Sequence, residues 1–126
     1  LAPIFLASLA ATPDTTAMTI PVEKINGAVL LLSGEDDQMW TSTPFSELVI
    51  ERLRERQFPH PFQHLHYPDA GHLILSPYLP TPVTASGHPL RKAYFAYGGT
   101  PQGGAFANAD SWTNVFRFLD QNLKAH

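Results

Sequence analysis

Two segments of strand length, separated by an amphipathic segment, dominate the hydrophobic pattern of this chain. The first, Ala28–Ser33, is a continuous apolar run that ends in a serine, and the second is Phe62–Tyr67. Continuous rather than alternating hydrophobicity is typical of a strand buried on both faces, and hence of a parallel sheet covered by helices. We therefore predict an α/β fold with parallel strands flanked by helices.

The segment between these strands, Pro44–Gln57, has the spacing of an amphipathic helix. Thr43 is a suitable N-cap, and Pro44 suits the first helical position because proline lacks the N–H that would be unpaired there. A strand, a helix and a strand in this order predict a βαβ unit over residues 21–75, which crosses over right-handedly. The apolar face of the predicted helix consists of Phe45, Leu48, Val49 and Leu53.

The segments on either side complete a single predicted domain over residues 1–126. Residues 1–20 form a lead-in with a short helix over Ile4–Ala10. Residues 76–104 are rich in proline and glycine and have no periodicity, so we predict a long loop there.

A last helix is predicted within residues 105–126. It begins between Gly104 and Asp110 and ends near Leu123, because apolar residues recur at helical spacing over this stretch. Its predicted buried stripe consists of Trp112, Val115, Phe116, Leu119 and Leu123.

Composition narrows the classes of function. A chain of 126 residues suits one compact domain. A net charge of −3 without a basic stripe argues against a nucleic-acid partner. The absence of cysteine excludes disulfides, thiolate metal sites and a cysteine nucleophile within this chain, and it fits a reducing compartment, so we expect a cytoplasmic location.

The apolar segment Leu1–Ala11 resembles the core of a signal peptide. No basic region precedes it, and it is too short to cross a bilayer, so we predict neither a signal peptide nor a membrane span. The start at a residue other than methionine leads us to expect a fragment or a processed product.

An acid and a histidine follow the two predicted strands. Asp37 ends a glycine-led turn after the first strand, and His72 ends a second such turn after the other. Adjacent parallel strands bring both turns to the same carboxyl edge of the sheet. The spacing of about 35 residues suits one strand–helix–strand unit. An acid followed by a histidine is the chain order of the last two members of an α/β-hydrolase triad.

In such a triad the histidine takes a proton from the nucleophile, and the acid fixes the imidazole tautomer. From spacing alone, the better interpretation is a turn residue at Asp37 and an ordinary loop histidine at His72. Gly71 shifts the balance towards a site, because it allows a sharp turn and leaves room around the ring of His72. Asp36 is the rival of Asp37 for the acid, and turn or helix-terminus roles suit the remaining acids of the Glu35–Asp37 run.

Two other clusters have weaker functional interpretations. His64 and His66 lie on one strand face and form a possible metal pair, but without an evident third ligand we favour packing with a satisfied hydrogen bond. The glycine-rich segment Gly98–Gly104 lacks the context of a phosphate loop and favours a tight turn over weak anion binding. Trp40 and Trp112 are expected in the core or in a pocket wall.

A nucleophile is missing from the pattern. None of the serines lies in a Gly-x-Ser-x-Gly motif or in a strand-turn-helix elbow, so the chain is predicted to supply the proton relay rather than the attacking atom. No metal or cofactor is predicted. The serines are Ser8, Ser33, Ser42, Ser46, Ser76, Ser86 and Ser111.

Five separated blocks occur in an order that resembles a known family. They are Ile20–Ile25, Leu31–Trp40, Tyr67–His72, Pro77-Tyr78 and Gly98–Pro101. Together they resemble the C-terminal catalytic region of the acyl-CoA thioesterases, a group that includes the bile acid-CoA:amino acid N-acyltransferases and is dienelactone-hydrolase-like.

The resemblance implies the C-terminal portion of an α/β-hydrolase, with Asp37 as the acid and His72 as the histidine of the triad. It also implies an acyl-CoA substrate. The nucleophile, serine in the thioesterases and cysteine in the acyltransferases, would lie upstream of Leu1, beyond which an N-terminal β-sandwich domain is expected. The isolated chain is therefore expected to be inactive.

Two further functions stay open. The chain suits a non-catalytic assembly unit, because an uncovered edge of the Ala28–Ser33 strand would recruit a second copy or the chain's own missing part. An ester or peptide hydrolase of the same fold would use the same triad, so the triad cannot separate these substrates.

Overall fold

A computed structural model of the chain describes residues 1–12, 19–74, 79–80 and 83–123. The Pro77-Tyr78 block lies outside the described residues. A short 3-10 helix covers Val22–Lys24. The helices and strands, in chain order, are α1 (Ala2–Ala10), β1 (Val29–Gly34), α2 (Ser42–Glu55), β2 (Phe62–Tyr67), β3 (Ala85–Gly87), β4 (Tyr94–Ala96) and α3 (Pro101–Leu123).

β1 and β2 form the parallel pair that the hydrophobic pattern predicts. They pair in register from Val29 opposite Phe62 to Gly34 opposite Tyr67, with α2 as the connection between them. The expected burial of β1 on both faces is wrong, since residues 29–32 are only partly buried. Within the described part of the chain β1 has a strand partner on one side only, so its other edge is not paired with a strand.

α2 begins two residues earlier than predicted, with Thr41 rather than Thr43 as its N-cap. The Thr43 hydroxyl instead donates to the Gly34 carbonyl at 3.2 Å. Pro44 therefore lies in the first helical turn, where its missing N–H leaves no intrahelical bond unmade. The helix ends at Glu55 rather than Gln57, because Gln57 takes a left-handed φ of 51° that a right-handed helix cannot continue.

α1 covers the predicted Ile4–Ala10 and begins two residues earlier, at Ala2. The N–H of Ala2 donates to the Gln38 carbonyl at 3.2 Å, and Phe5 packs against Trp40 with ring centroids 4.2 Å apart. The lead-in therefore contacts the segment that follows β1. Among the described helices, none combines the length and the apolar character that crossing a membrane requires.

α3 begins at Pro101, earlier than the predicted window of Gly104 to Asp110. The Gly103 N–H donates to the Thr100 hydroxyl at 2.9 Å, which is the bond of a threonine N-cap with proline at the first helical position. The glycine-rich segment thus opens the helix, although its composition predicts a loop.

The predicted burial of the α3 stripe is also wrong. Trp112, Phe116, Leu119 and Leu123 are 36%, 62%, 40% and 72% exposed, and we call these four residues the apolar stripe. The buried face of α3 is made instead by smaller residues, because these allow the helix to lie close to β2. They are Gly104, Ala107, Asn108 and Ser111.

The predicted loop over 76–104 contains a small antiparallel hairpin. β3 and β4 pair from Ala85 opposite Ala96 to Gly87 opposite Tyr94. Each strand has only three residues, too few for an alternating pattern to show in the sequence.

The core lies between the parallel pair and α3. Tyr67, Ala70 and Ala107 form a buried cluster there, with Leu32, Leu65 and Ile74 packed against them. The other buried apolar residues of the described chain are Ala2, Ile50, Leu53 and Phe58. The Tyr67 hydroxyl donates to the Asp110 carboxylate at 3.0 Å. Burial, and to a lesser degree this hydrogen bond, raises the pKa of Tyr67 to about 12.

On α2, Arg52 donates two hydrogen bonds to Glu23, and these lower the pKa of Glu23 to about 2.

Candidate active site

The turn after β1 places Asp37 with its carboxylate almost fully enclosed. Its side chain is 4% exposed, and its backbone N–H donates to the Gly34 carbonyl at 3.3 Å. Oδ1 accepts the N–H groups of Met39 and Trp40 at 3.0 and 2.8 Å. These bonds fix the carboxylate and leave Oδ2 directed at one further partner.

That partner is His72. Its Nδ1 lies 3.0 Å from Asp37 Oδ2, so the structure brings the two predicted site residues together. An ionised carboxylate only accepts hydrogen bonds, so Nδ1 carries the proton and Nε2 is the nitrogen available to accept one. The imidazole is 36% exposed and stacks on Tyr97 with an interplanar angle of 11°. The catalytic role of Asp37 and His72 stays a prediction.

A third segment, the turn from Tyr97 to Thr100, joins the other two. The Tyr97 carbonyl accepts the N–H of His72 at 2.8 Å and that of Gln38 at 3.4 Å. Gly98 has a left-handed φ of 74°, so the tight turn favoured for Gly98–Gly104 is present at the start of that segment, whereas the residues from Pro101 onward belong to α3. The sequence did not predict that this turn contacts the site. The paired glycines Gly98 and Gly99 were the one feature of the sequence that could have indicated it.

Gly71 is required because its missing side chain leaves room, and not because of the predicted sharp turn. It is not among the glycines with positive φ. A Cβ on Gly71 would lie 2.4 Å from the carbonyl oxygens of both Tyr97 and Gly98. Close approach of the two turns, rather than a sharp bend, therefore excludes a side chain next to His72.

The other acids of the run have separate partners. Asp36 Oδ2 accepts the Gly99 N–H at 2.7 Å, and Glu35 contacts Nδ1 of His66. The bond to Gly99 gives Asp36 a turn role, as expected for an acid of the Glu35–Asp37 run that does not act in a triad. The geometry favours Asp37 over its rival.

His64 and His66 are both hydrogen-bonded, as their pattern favoured. The expected packing is wrong for His66, whose side chain is 54% exposed, whereas His64 is partly buried. His64 Nε2 lies 2.7 Å from the Ser33 hydroxyl. Burial, and then repulsion from His66, lowers the pKa of His64 below its usual value, so its neutral form is favoured. In the ranges that the structure describes, no three or more acids, histidines or cysteines are grouped to hold a metal ion.

A cavity of about 340 Å³ adjoins the Asp37–His72 pair. Trp40 and Trp112, predicted in the core or in a pocket wall, both line it and are partly exposed. Leu32, Ile74 and Val115 provide further apolar wall. A site with an acid–imidazole pair beside an apolar cavity suits proton transfer at an apolar substrate.

Three serines also line this cavity, and each has another partner. Ser33 bonds to Thr43 and His64, Ser42 donates to the Gly34 carbonyl, and Ser111 donates to the Asn108 carbonyl. The hydrogen bonds of these three hydroxyls go to residues other than His72.

Comparison with known proteins identifies the related sequences. Residues 5–125 match the family described as "BAAT / Acyl-CoA thioester hydrolase C terminal". Over 104 residues the chain is 36% identical to Acyl-coenzyme A thioesterase 6 of Mus musculus, and over 104 residues 33% identical to Peroxisomal succinyl-coenzyme A thioesterase of Mus musculus. Over 114 residues it is 35% identical to Acyl-coenzyme A thioesterase 2, mitochondrial, of Homo sapiens.

These matches cover 82%, 82% and 90% of this chain and 24%, 24% and 23% of the respective relatives. The chain therefore spans about a quarter of the length of the curated relatives it matches.

Replacing Gly71 by alanine tests how tightly the two turns are held together. We expect Gly71→Ala to lower the free energy of unfolding by about 1–3 kcal/mol, because the new methyl group meets two carbonyl oxygens that cannot move independently. Urea unfolding followed by circular dichroism measures this change.

Gly87→Ala is the matched control, since the nearest atom to its added Cβ is a Tyr94 ring carbon at 3.9 Å. The control should stay within about 0.5 kcal/mol of the original chain. Equal stability of the two variants would contradict the close approach at Gly71.

Proposed function

Because this chain belongs to the BAAT and acyl-CoA thioester hydrolase C-terminal family, we propose that it supplies the acid and the histidine of an acyl-CoA hydrolase triad. The observation that carries the proposal is the 3.0 Å hydrogen bond between His72 Nδ1 and the enclosed Asp37 carboxylate. The proposed setting is an α/β-hydrolase of the dienelactone-hydrolase type that acts in lipid metabolism.

The proposed reaction begins at a nucleophile outside this chain, serine or cysteine. His72 Nε2 takes the proton of the nucleophile as it attacks the thioester carbonyl, and Asp37 stabilises the imidazolium that forms. The carbon–sulfur bond breaks, and His72 protonates the departing thiolate of coenzyme A. Backbone N–H groups outside this chain would stabilise the oxyanion.

The second half of the proposed reaction releases the acyl group. His72 removes a proton from water as the water attacks the acyl-enzyme, and it then returns that proton to the nucleophile as the carboxylic acid leaves. An amino acid amine in place of water would form an amide, which is the transferase version of the same step. An ester or peptide substrate would use the same groups.

The names of the relatives bear on location. One relative is named peroxisomal and another mitochondrial. The cytoplasmic location expected for this chain therefore stays a prediction.

A chimera provides the test of the catalytic proposal. This chain would replace the matched C-terminal region of Acyl-coenzyme A thioesterase 2, mitochondrial, which would supply the rest of the protein. We expect acyl-CoA hydrolysis, followed by release of the free thiol, to fall on the order of 10³-fold or more with His72→Ala or Asp37→Asn. His60→Ala is the control, since His60 precedes β2 at the end of the strand opposite His72.

Two results would contradict the proposal. One is a chimera that hydrolyses acyl-CoA equally well with and without His72. The other is turnover by the isolated 126-residue chain that is lost in His72→Ala, because a nucleophile would then lie within this sequence.

An assembly unit is the second candidate function, and the exposure of the apolar stripe favours it. Phe116 and Leu123 are more than half exposed on α3. Trp112, at the other end of the stripe, also lines the cavity beside the site. An apolar helix face of this kind, with a β1 edge that pairs with no strand of the described residues, is typical of a surface that associates with another polypeptide.

Light scattering of the isolated chain tests this candidate. We expect association at micromolar concentration that Phe116→Lys reduces, because the lysine places a charge in the middle of the apolar stripe. Leu90→Lys is the control, since Leu90 is 88% exposed and lies outside the stripe. A monodisperse monomer in the original chain would argue against an assembly role.

A further inference from the structure

The Asp36 carboxylate is not used by the Asp37–His72 pair, yet it contacts the turn that holds His72. We infer that Asp36 is a positioning residue for His72 that acts through the Tyr97–Thr100 turn, an inference that rests on the proposed function. Its Oδ2 accepts the Gly99 N–H at 2.7 Å, and its Oδ1 accepts a hydrogen bond from the Gln38 amide at 3.2 Å. A hydrogen bond from an N–H to an ionised carboxylate is among the stronger hydrogen bonds in proteins.

The Tyr97–Thr100 turn needs such a bond because its two central residues have no side chains. Gly98 and Gly99 both have left-handed φ values, 74° and 72°. Glycine has more backbone freedom than any other residue, so hydrogen bonds must fix this turn. The Thr100 N–H donates to the Asp69 carbonyl at 2.9 Å, and the N–H groups of Tyr97 and Gly98 donate to the Thr84 carbonyl at 2.8 and 3.2 Å. The Gly99 N–H donates to Asp36, which is the side-chain acceptor of this turn.

The same turn carries the contact to His72. The Tyr97 carbonyl accepts the backbone N–H of His72 at 2.8 Å, and the Tyr97 ring stacks on the imidazole. Asp36 is thus connected to His72 through Gly99, Gly98 and Tyr97. Movement of the turn would displace both the backbone and the ring of His72.

Close packing prevents the turn from moving independently of the two site loops. A Cβ on Gly98 would lie 1.8 Å from the Asp36 carbonyl oxygen, and one on Gly99 would lie 2.3 Å from the Gly71 nitrogen. The turn therefore touches the acid loop on one side and the residue before His72 on the other. Catalytic side chains tolerate misplacement of only a fraction of an ångström, so a group that holds this turn affects the reaction without touching the substrate.

Variants of Asp36 in the 126-residue chain test this inference by NMR. In Asp36→Ala we expect the Gly99 amide hydrogen to exchange roughly tenfold faster or more, and the ring 15N signals of His72 to move from their original positions. Asp36→Asn should restore both signals, because its side-chain carbonyl still accepts the Gly99 N–H. Glu51→Ala removes an exposed carboxylate from α2 and is the control for loss of charge.

A His72 ring spectrum that is unchanged in Asp36→Ala would overturn the inference, and so would an Asp36→Asn spectrum as altered as that of the alanine variant. If Asp36→Ala loses its folded spectrum, Asp36→Glu replaces it, since it keeps the charge but moves the carboxylate by one methylene. The same changes at Gly99 and His72 are then expected, and their absence would equally overturn the inference.

The NMR signals of Gly99 and His72 can be measured without any turnover of substrate. Acyl-CoA hydrolysis by the chimera that does not depend on His72 would therefore contradict the proposed function and leave the positioning result standing. Unchanged His72 signals would contradict the positioning role alone.

Discussion

The hydrogen bond between the Asp37 carboxylate and Nδ1 of His72 is the interaction on which the functional account depends. The in-register parallel pairing of β1 and β2 makes it possible, because Gly34 and Tyr67 end their strands side by side and both turns leave the same edge. The carboxylate is enclosed and accepts two backbone N–H groups as well as the imidazole. A rigid acceptor of this kind sets which ring nitrogen carries the proton, and the proton position decides whether Nε2 acts as a base.

Around this bond, three backbone segments hold one another by contacts that exclude side chains. The acid turn, the histidine turn and the Tyr97–Thr100 turn approach so closely that Gly71 and Gly98 leave no room for a Cβ. The apolar cavity and the apolar stripe adjoin the same region, with Trp112 common to both. Membership of the BAAT and acyl-CoA thioester hydrolase C-terminal family and this arrangement together support the proposed role of the Asp37–His72 pair as a proton relay.

Several elements were predictable because local patterns determine them. The continuous apolar run and the helical spacing of Pro44–Gln57 predicted the strand–helix–strand unit. The turns after the two strands predicted that Asp37 and His72 lie at the same edge of the sheet. Periodicity also identified the apolar stripe, but amphipathicity shows which helix face is apolar and not what covers it. The hairpin of β3 and β4 is too short for a periodic signal, and the Tyr97–Thr100 turn meets the site through backbone contacts between residues distant in sequence. Such contacts leave no trace except paired glycines.

The most direct test of the account is the proton position on the His72 ring, measured from its 15N chemical shifts in the isolated chain at a pH where the ring is neutral. The account predicts the Nδ1–H tautomer in the original chain. In Asp37→Asn it predicts a shift of the population towards Nε2–H, because an amide no longer presents a charged acceptor to Nδ1. A ring that is already Nε2–H in the original chain, or a tautomer that does not change when Asp37 is replaced, would contradict the role of Asp37 in fixing the His72 proton.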